Sequence, residues 1–157
     1  MRILGIDPGT GILGFGVVEI DASRKASMVT AGVISTPAHT PLEDRLLEIF
    51  DGLSEIIEET RPDEVSIEKL FFAQNITTAI SVSHARGVAM LVARRANLPI
   101  YEYTPLQIKQ TMTGYGRAEK KQIQEMVKAH LGLKGLPKPD DAADALAAAI
   151  THSLMKR

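Results

Sequence analysis

At 157 residues, 45% hydrophobic and 24% charged, the chain is long enough to bury a core without staples and has the composition of an ordinary globular domain. It contains no cysteine, which excludes disulfides and thiolate metal centres. The net charge of -1 excludes a uniformly basic nucleic-acid coat, so phosphate binding would need a local basic face.

Three strands open the chain, at Arg2–Ile6, Gly14–Ile20 and Met28–Ser35. Pro8-Gly9-Thr10-Gly11 and 21–25 turn between them, and such short connections predict an antiparallel meander. A helix opens at Pro41 and Asp44, carries Leu46, Ile49, Phe50, Leu53, Ile56 and Ile57 at helical spacing, and is stopped by Arg61-Pro62. Glu64–Ile67 is a fourth strand, followed by Glu68. A helix over Thr77–Ala96 places Ile80, His84, Gly87, Val88 and Leu91 on one side. Pro99–Tyr103 is a fifth strand. Thr104-Pro105 caps a third helix, broken by Gly114-Tyr115-Gly116. Helix Arg117–Leu131 ends at Gly132, and the last helix starts at Asp140 or Asp141 after a loop over Lys134–Pro139. A right-handed crossover from the meander to strand four sets strands one and four side by side and parallel. The prediction is one α/β domain over 1–157, with a five-stranded mixed sheet of order 3-2-1-4-5 flanked by helices.

Charge is unevenly placed. Residues 43–64 hold nine acids against two bases, and residues 109–138 hold seven bases against two acids, so one side would repel phosphates and the other attract them. The MRILGID start is too short for a signal-peptide core. No apolar run is read as approaching the roughly 20 residues of a membrane span. The expectation is a soluble cytoplasmic protein.

Asp7 ends strand one and Glu68 ends strand four, so the predicted pairing brings two distant carboxylates to one sheet end. Asp141 and Asp144, three apart in the opening turn of the last helix, share a face, with Ala143, Leu146, Ala147 and Ile150 opposite. Each acid alone has a plainer explanation, as a turn residue or helix cap. Together, four acids without matched bases repel one another, and a divalent cation resolves that conflict. Oxygen-only ligands point to Mg²⁺, or Mn²⁺ in its place, and a pair of such ions suits attack of water on a phosphodiester. Lys120 heads a basic helix and is a candidate for neutralising a reacting phosphate, with Lys109 second. Phe71 and Phe72 follow the Glu68 strand end, where an aromatic ring can stack on an unpaired base. His39, His84, His130 and His152 have no ligand spacing and read as structural or surface residues.

These residues resemble the RuvC family of bacterial Holliday-junction resolvases, of the ribonuclease H-like superfamily, over nearly the whole chain. The resemblance is carried by 2–9 (RILGIDPG), 67–75 (IEKLFFAQN), 85–89 (ARGVA), 109–111 (KQT), 118–120 (AEK) and 140–147 (DDAADALA). It implies that Asp7, Glu68, Asp141 and Asp144 are metal-binding catalytic acids, with two Mg²⁺ ions per site. It implies that Phe71 contacts bases near a crossover and that Lys109 and Lys120 lie by the cleaved phosphate. Arg117 and Lys121, in the same basic stretch, are further DNA-binding candidates. It also implies a homodimer, joined largely through helix Thr77–Ala96, that cuts four-way junction DNA symmetrically and works with the RuvA–RuvB branch-migration complex. Some relatives carry histidine at the position of Asp141. Asp140 leaves a one-residue ambiguity, and the D-A-A-D spacing selects Asp141.

Three other readings stay open at this stage: a RuvC-like nuclease processing RNA, an actin-like ATPase suggested by Asp7-Pro8-Gly9-Thr10-Gly11, and a non-catalytic junction-binding protein. Cleavage of a junction, cleavage of RNA and ATP hydrolysis separate them.

Overall fold

The computed structural model describes residues 1–70 and 76–156. Its elements are β1 (Arg2–Asp7), β2 (Ile12–Ile20), β3 (Ala26–Ser35), α1 (Leu42–Thr60), β4 (Glu64–Glu68), α2 (Ile76–Arg95), β5 (Ile100–Tyr103), α3 (Pro105–Thr113), α4 (Lys120–Leu131) and α5 (Asp140–Met155). The strands form one sheet of order β3-β2-β1-β4-β5. β1 pairs antiparallel with β2 and parallel with β4, in a register that sets Ile6 beside Ile67. This is the mixed sheet anticipated from the sequence.

Strand alternation sorts the side chains into two layers. Leu4, Ile6, Leu13, Val17, Val65 and Ile67 point to one face and bury against Ile49 and Leu53 of α1 and the Ala85, Ala89 and Val92 side of α2. Ile3, Val18 and Tyr103 point to the other face, covered by α3, α4 and α5. Helix α5 lies unusually close to the sheet there. A Cβ on Gly5 would fall 1.9 Å from the Ala145 carbonyl oxygen, and one on Gly14 would fall 2.0 Å from that of Asp141. Only hydrogen at those two positions lets the helix backbone sit against the strands.

At the far end of α5, Glu64 of β4 accepts a hydrogen bond from His152 Nε2 at 2.6 Å, and His152 Nδ1 lies 2.7 Å from the Tyr103 hydroxyl. Tyr101 stacks on the imidazole at 4.2 Å, and Lys156 pairs with Glu64. His152 is thus a fully buried structural residue that pins α5 to β4 and β5. Its neighbours hold the Glu64 carboxyl low: burial opposes ionisation, and hydrogen bonds from Lys156 and His152 outweigh it.

Two sequence expectations are corrected, and one helix is more deeply buried than its pattern required. Helix α4 begins at Lys120 rather than Arg117, because the Gln122 side chain accepts from the Glu119 backbone N–H and fixes Glu119 as the cap. Helix α5 is buried on all sides from Ala145 to His152, since α3 and α4 cover the face turned away from the sheet. Helix α2, with 20 residues, is long and apolar enough to cross a membrane by length and composition. In this fold its alanine side packs on the sheet, and Arg86 on α2 pairs with Glu102 of β5.

Candidate metal centre and nucleic-acid interface

The parallel pairing of β1 and β4 continues past Ile6 and Ile67, so the next residues, Asp7 and Glu68, end adjacent strands at the same sheet edge. Both lie on the α5 face, by alternation from Gly5 and from Ser66, whose hydroxyl donates to the Ala148 carbonyl. The Gly14 contact brings the first turn of α5 down onto the neighbouring strand at this edge. Asp141 and Asp144 thereby reach Asp7 and Glu68 from the side. Four carboxylates from three separate stretches of chain share one corner of the molecule.

Their ionisation records the crowding. Asp7 is pushed up from 3.8 to about 8, by burial first and then by the charges of Glu68, Asp144 and Asp141, with Lys120 opposing. Glu68 is pushed up from 4.5 to about 7, by burial and then Asp144, with Lys109 and Lys120 opposing. Asp144 is also raised, chiefly by burial. Asp140 is not among the charges acting on Asp7. It accepts instead from the Gln124 side chain at 2.9 Å, tying α5 to α4.

Lys120, the first residue of α4, supplies the cation. Its Nζ lies 3.0 Å from Asp144 Oδ2 and 3.6 Å from Asp140 Oδ2. Burial lowers its affinity for the proton, but the hydrogen bond and charge of Asp144 outweigh that and raise it. Lys109 of α3 lines the same cleft of about 280 Å³ together with Glu68, Pro105, Ile108, Lys120 and Asp144. Two residues placed with this group by sequence stand apart from it. Arg117 is exposed before α4, and Lys121 opens onto a separate surface hollow with Glu119, Gln122 and Glu125. Phe71 and Phe72 lie outside the described residues.

Among the described residues, no three carboxylates or imidazoles converge closely enough to hold one ion in this conformation. The donor chemistry nonetheless fits a hard divalent cation. The candidate ligating atoms are all oxygen, and burial together with neighbouring carboxylates raises Asp7 and Glu68 despite the opposing charges of Lys120 and, at Glu68, Lys109.

Sequence reasoning missed the grip on the loop that follows Asp7. Thr10, 4% exposed, bonds to Ser81 of α2, Thr36 bonds to the loop backbone, and Arg45 of α1 donates to Thr36. Nothing in the sequence links residues 10, 36, 45 and 81.

Comparison with known proteins follows this geometry. The family model for crossover junction endodeoxyribonuclease RuvC matches residues 3–152. A relative from Brevibacillus brevis described by that name is 58% identical over 153 residues, covering 98% of this chain and 92% of its own. One from Thermotoga petrophila is 50% identical over 157 residues, covering 100% of this chain and 94% of its own. The structure of Thermus thermophilus RuvC in complex with Holliday junction substrate superposes with a TM-score of 0.95 at 38% identity, covering 100% of this chain and 95% of that one.

Proposed function

Since the chain belongs to the RuvC family of crossover junction endodeoxyribonucleases and is a Holliday-junction endonuclease, we propose that Asp7, Glu68, Asp141 and Asp144 hold its catalytic metal and that it cuts as a homodimer. The observation that carries the assignment is the meeting of four carboxylates from β1, β4 and α5 at one sheet corner, with Asp7 and Glu68 raised by burial first and then by neighbouring carboxylates. The family's catalysis depends on Mg²⁺; two ions per site, replaceable by Mn²⁺, are our reading of an all-carboxylate set. When bound, the ions supply an acidified water for attack on the phosphodiester and positive charge at the leaving 3′ oxygen.

The protein's own groups do the positioning. Lys120, already among the acids, is placed to meet the scissile phosphate, and Lys109 extends the same positive wall. Arg117 and Lys121 are assigned to phosphates farther along the junction arms, and Phe71 to stacking on a base opened at the crossover. The dimer reading is supported by α2. Ile76, Ile80 and Leu91 are 74%, 54% and 60% exposed and form a stripe with His84 and Gly87 at helical spacing. Among the described residues nothing covers this stripe, and a two-fold axis through it would present two identical sites to a substrate of approximate two-fold symmetry. Cytoplasmic action alongside a RuvA–RuvB complex completes the proposal.

The test is cleavage of a synthetic four-way junction, linear duplex and RNA–DNA hybrid, with and without Mg²⁺, by wild type and Asp7→Asn. Paired nicks in the junction alone, lost without metal or with Asp7→Asn while binding persists, are the expected result. Junction binding without cleavage under any metal would reduce the protein to a binding module, and preferential cutting of the hybrid would move it to an RNA-processing role.

A further inference from the structure

The loop between β1 and β2 carries Asp7 at its first edge and is held by three other elements. On one side the Thr10 hydroxyl donates to the Ser81 carbonyl, and the Ser81 hydroxyl donates back to Thr10 Oγ1 at 2.7 Å. On the other, Thr36 at the end of β3 donates its hydroxyl to the Thr10 carbonyl at 2.6 Å and its backbone N–H to the Gly11 carbonyl at 2.9 Å. Arg45 of α1 donates through Nε to Thr36 Oγ1 at 2.8 Å, and its Nη2 lies 3.3 Å from where a Cβ on Gly11 would be. Thr10 and Thr36 are both buried, so their bonds are shielded from competing water. The Thr10 hydroxyl is thus the side-chain joint between the loop and α2, the helix that bears the exposed Ile76, Ile80 and Leu91 stripe.

We infer that Thr10 and Ser81 are positioning residues for cleavage: their reciprocal hydrogen bonds fix the Asp7 loop to α2, so that the metal-binding acid takes its place from the same helix that carries the dimer face. This rests on the assignment of Asp7 to the metal centre and of α2 to the dimer. The physical ground is the steepness of catalysis with position. A free loop lets Asp7 drift relative to Glu68 and Asp144, and a displacement on the order of 1 Å costs about 10²-fold in rate. Thr10→Val removes both bonds and keeps the side-chain shape, Thr10→Ser keeps both, and Ser81→Ala removes only the bond donated by Ser81.

The experiment measures four things for each variant: Mn²⁺ affinity by calorimetry without DNA, junction affinity in Ca²⁺, oligomeric state, and single-turnover cleavage over a range of Mg²⁺. Thr10→Val is expected to bind Mn²⁺ about tenfold or more weakly and to cleave about 10²-fold more slowly with a raised Mg²⁺ requirement. Its junction affinity and oligomeric state should match wild type. Ser81→Ala should fall between, and Thr10→Ser should recover both metal affinity and rate. Wild-type metal affinity in Thr10→Val would overturn the inference, as would parallel loss of folding, dimer and junction binding that Thr10→Ser fails to restore. The calorimetric arm stands whether or not the wild type proves to cut junctions, so a failure of the functional assignment is read separately.

Discussion

Asp7 and Glu68 hold their protons near neutral pH so long as only Lys120, joined at Glu68 by Lys109, offsets the charge around them. Their raised values, about 8 and about 7, make the metal-free fold less stable as pH rises. The folded protein binds these protons more tightly than the unfolded chain, so that contribution is complete below the ordinary carboxylate range and is lost as pH rises through the folded values. The melting temperature without divalent ions should therefore fall between about pH 4 and pH 8. Asp7→Asn should flatten that fall, and added Mg²⁺ should stabilise wild type more at pH 8 than at pH 6, where protons compete for the same oxygens. A metal-free melting curve that rises with pH over this interval would contradict the account. Lys120→Met removes the cation beside Asp144, and a loss of about 10²-fold in cleavage with junction binding nearly kept is the outcome expected of a group acting at the reacting phosphate. At this scale the sequence was readable for the acids, since strand ends and a three-residue spacing decide where they point. It was silent on Thr10, Thr36, Arg45 and Ser81, because hydroxyl pairs between distant segments leave no periodicity.

The approach of α5 to the sheet depends on missing side chains. Gly14 stands where any Cβ would strike the Asp141 carbonyl, and Gly5 does the same beneath Ala145. Gly14→Ala is expected to destabilise the protein by about 3 kcal/mol and to cut metal affinity as the first turn of α5 lifts, measured by thermal melting and Mn²⁺ calorimetry. In the sequence these glycines are simply residues of the first two strands. Their meaning lies in the close approach of the α5 backbone at Ala145 and Asp141, which only the folded layer brings opposite them. The start of α4 was misplaced for a related reason: the cap is set by Gln122 reaching back to Glu119, whereas a run of helix-forming residues extends further upstream. Of the residues the sequence grouped on one side of α2, Ile80, His84, Gly87 and Leu91 are exposed together, whereas Val88 is half-buried and packs against the core. That this side faces outward follows from the alanines at 79, 85, 89 and 93 taking the core. Leu91→Asp should give a monomer by sedimentation that binds a junction weakly and nicks one strand without its opposite; paired cutting by that monomer would remove α2 from the interface.

The whole molecule is polar in charge. The acidic segment forms α1 on one face of the sheet, while α3 and α4, with Lys109 and Lys120, lie on the face that carries the carboxylates. Phosphates are thereby steered to the side where the chemistry is assigned. Lys121→Glu is expected to weaken junction binding and reduce its salt dependence by about one ion, whereas Glu55→Lys on α1 should leave the slope unchanged, both read from binding at several salt concentrations. The sheet order was legible because connection length and crossover handedness leave few ways to arrange five strands.

The order of the elements along the chain has one more consequence. Asp7 and Glu68 leave the ribosome with β1 and β4, but Asp141 and Asp144 come with α5, which follows every strand of the sheet and packs centrally on one of its faces. A nascent chain that has not yet reached α5 lacks two of the four acids and the central helix of one core layer at once. With these acids assigned to the metal centre, the folding order works as a safety catch: cutting capacity arrives no earlier than the helix that closes this layer of the core.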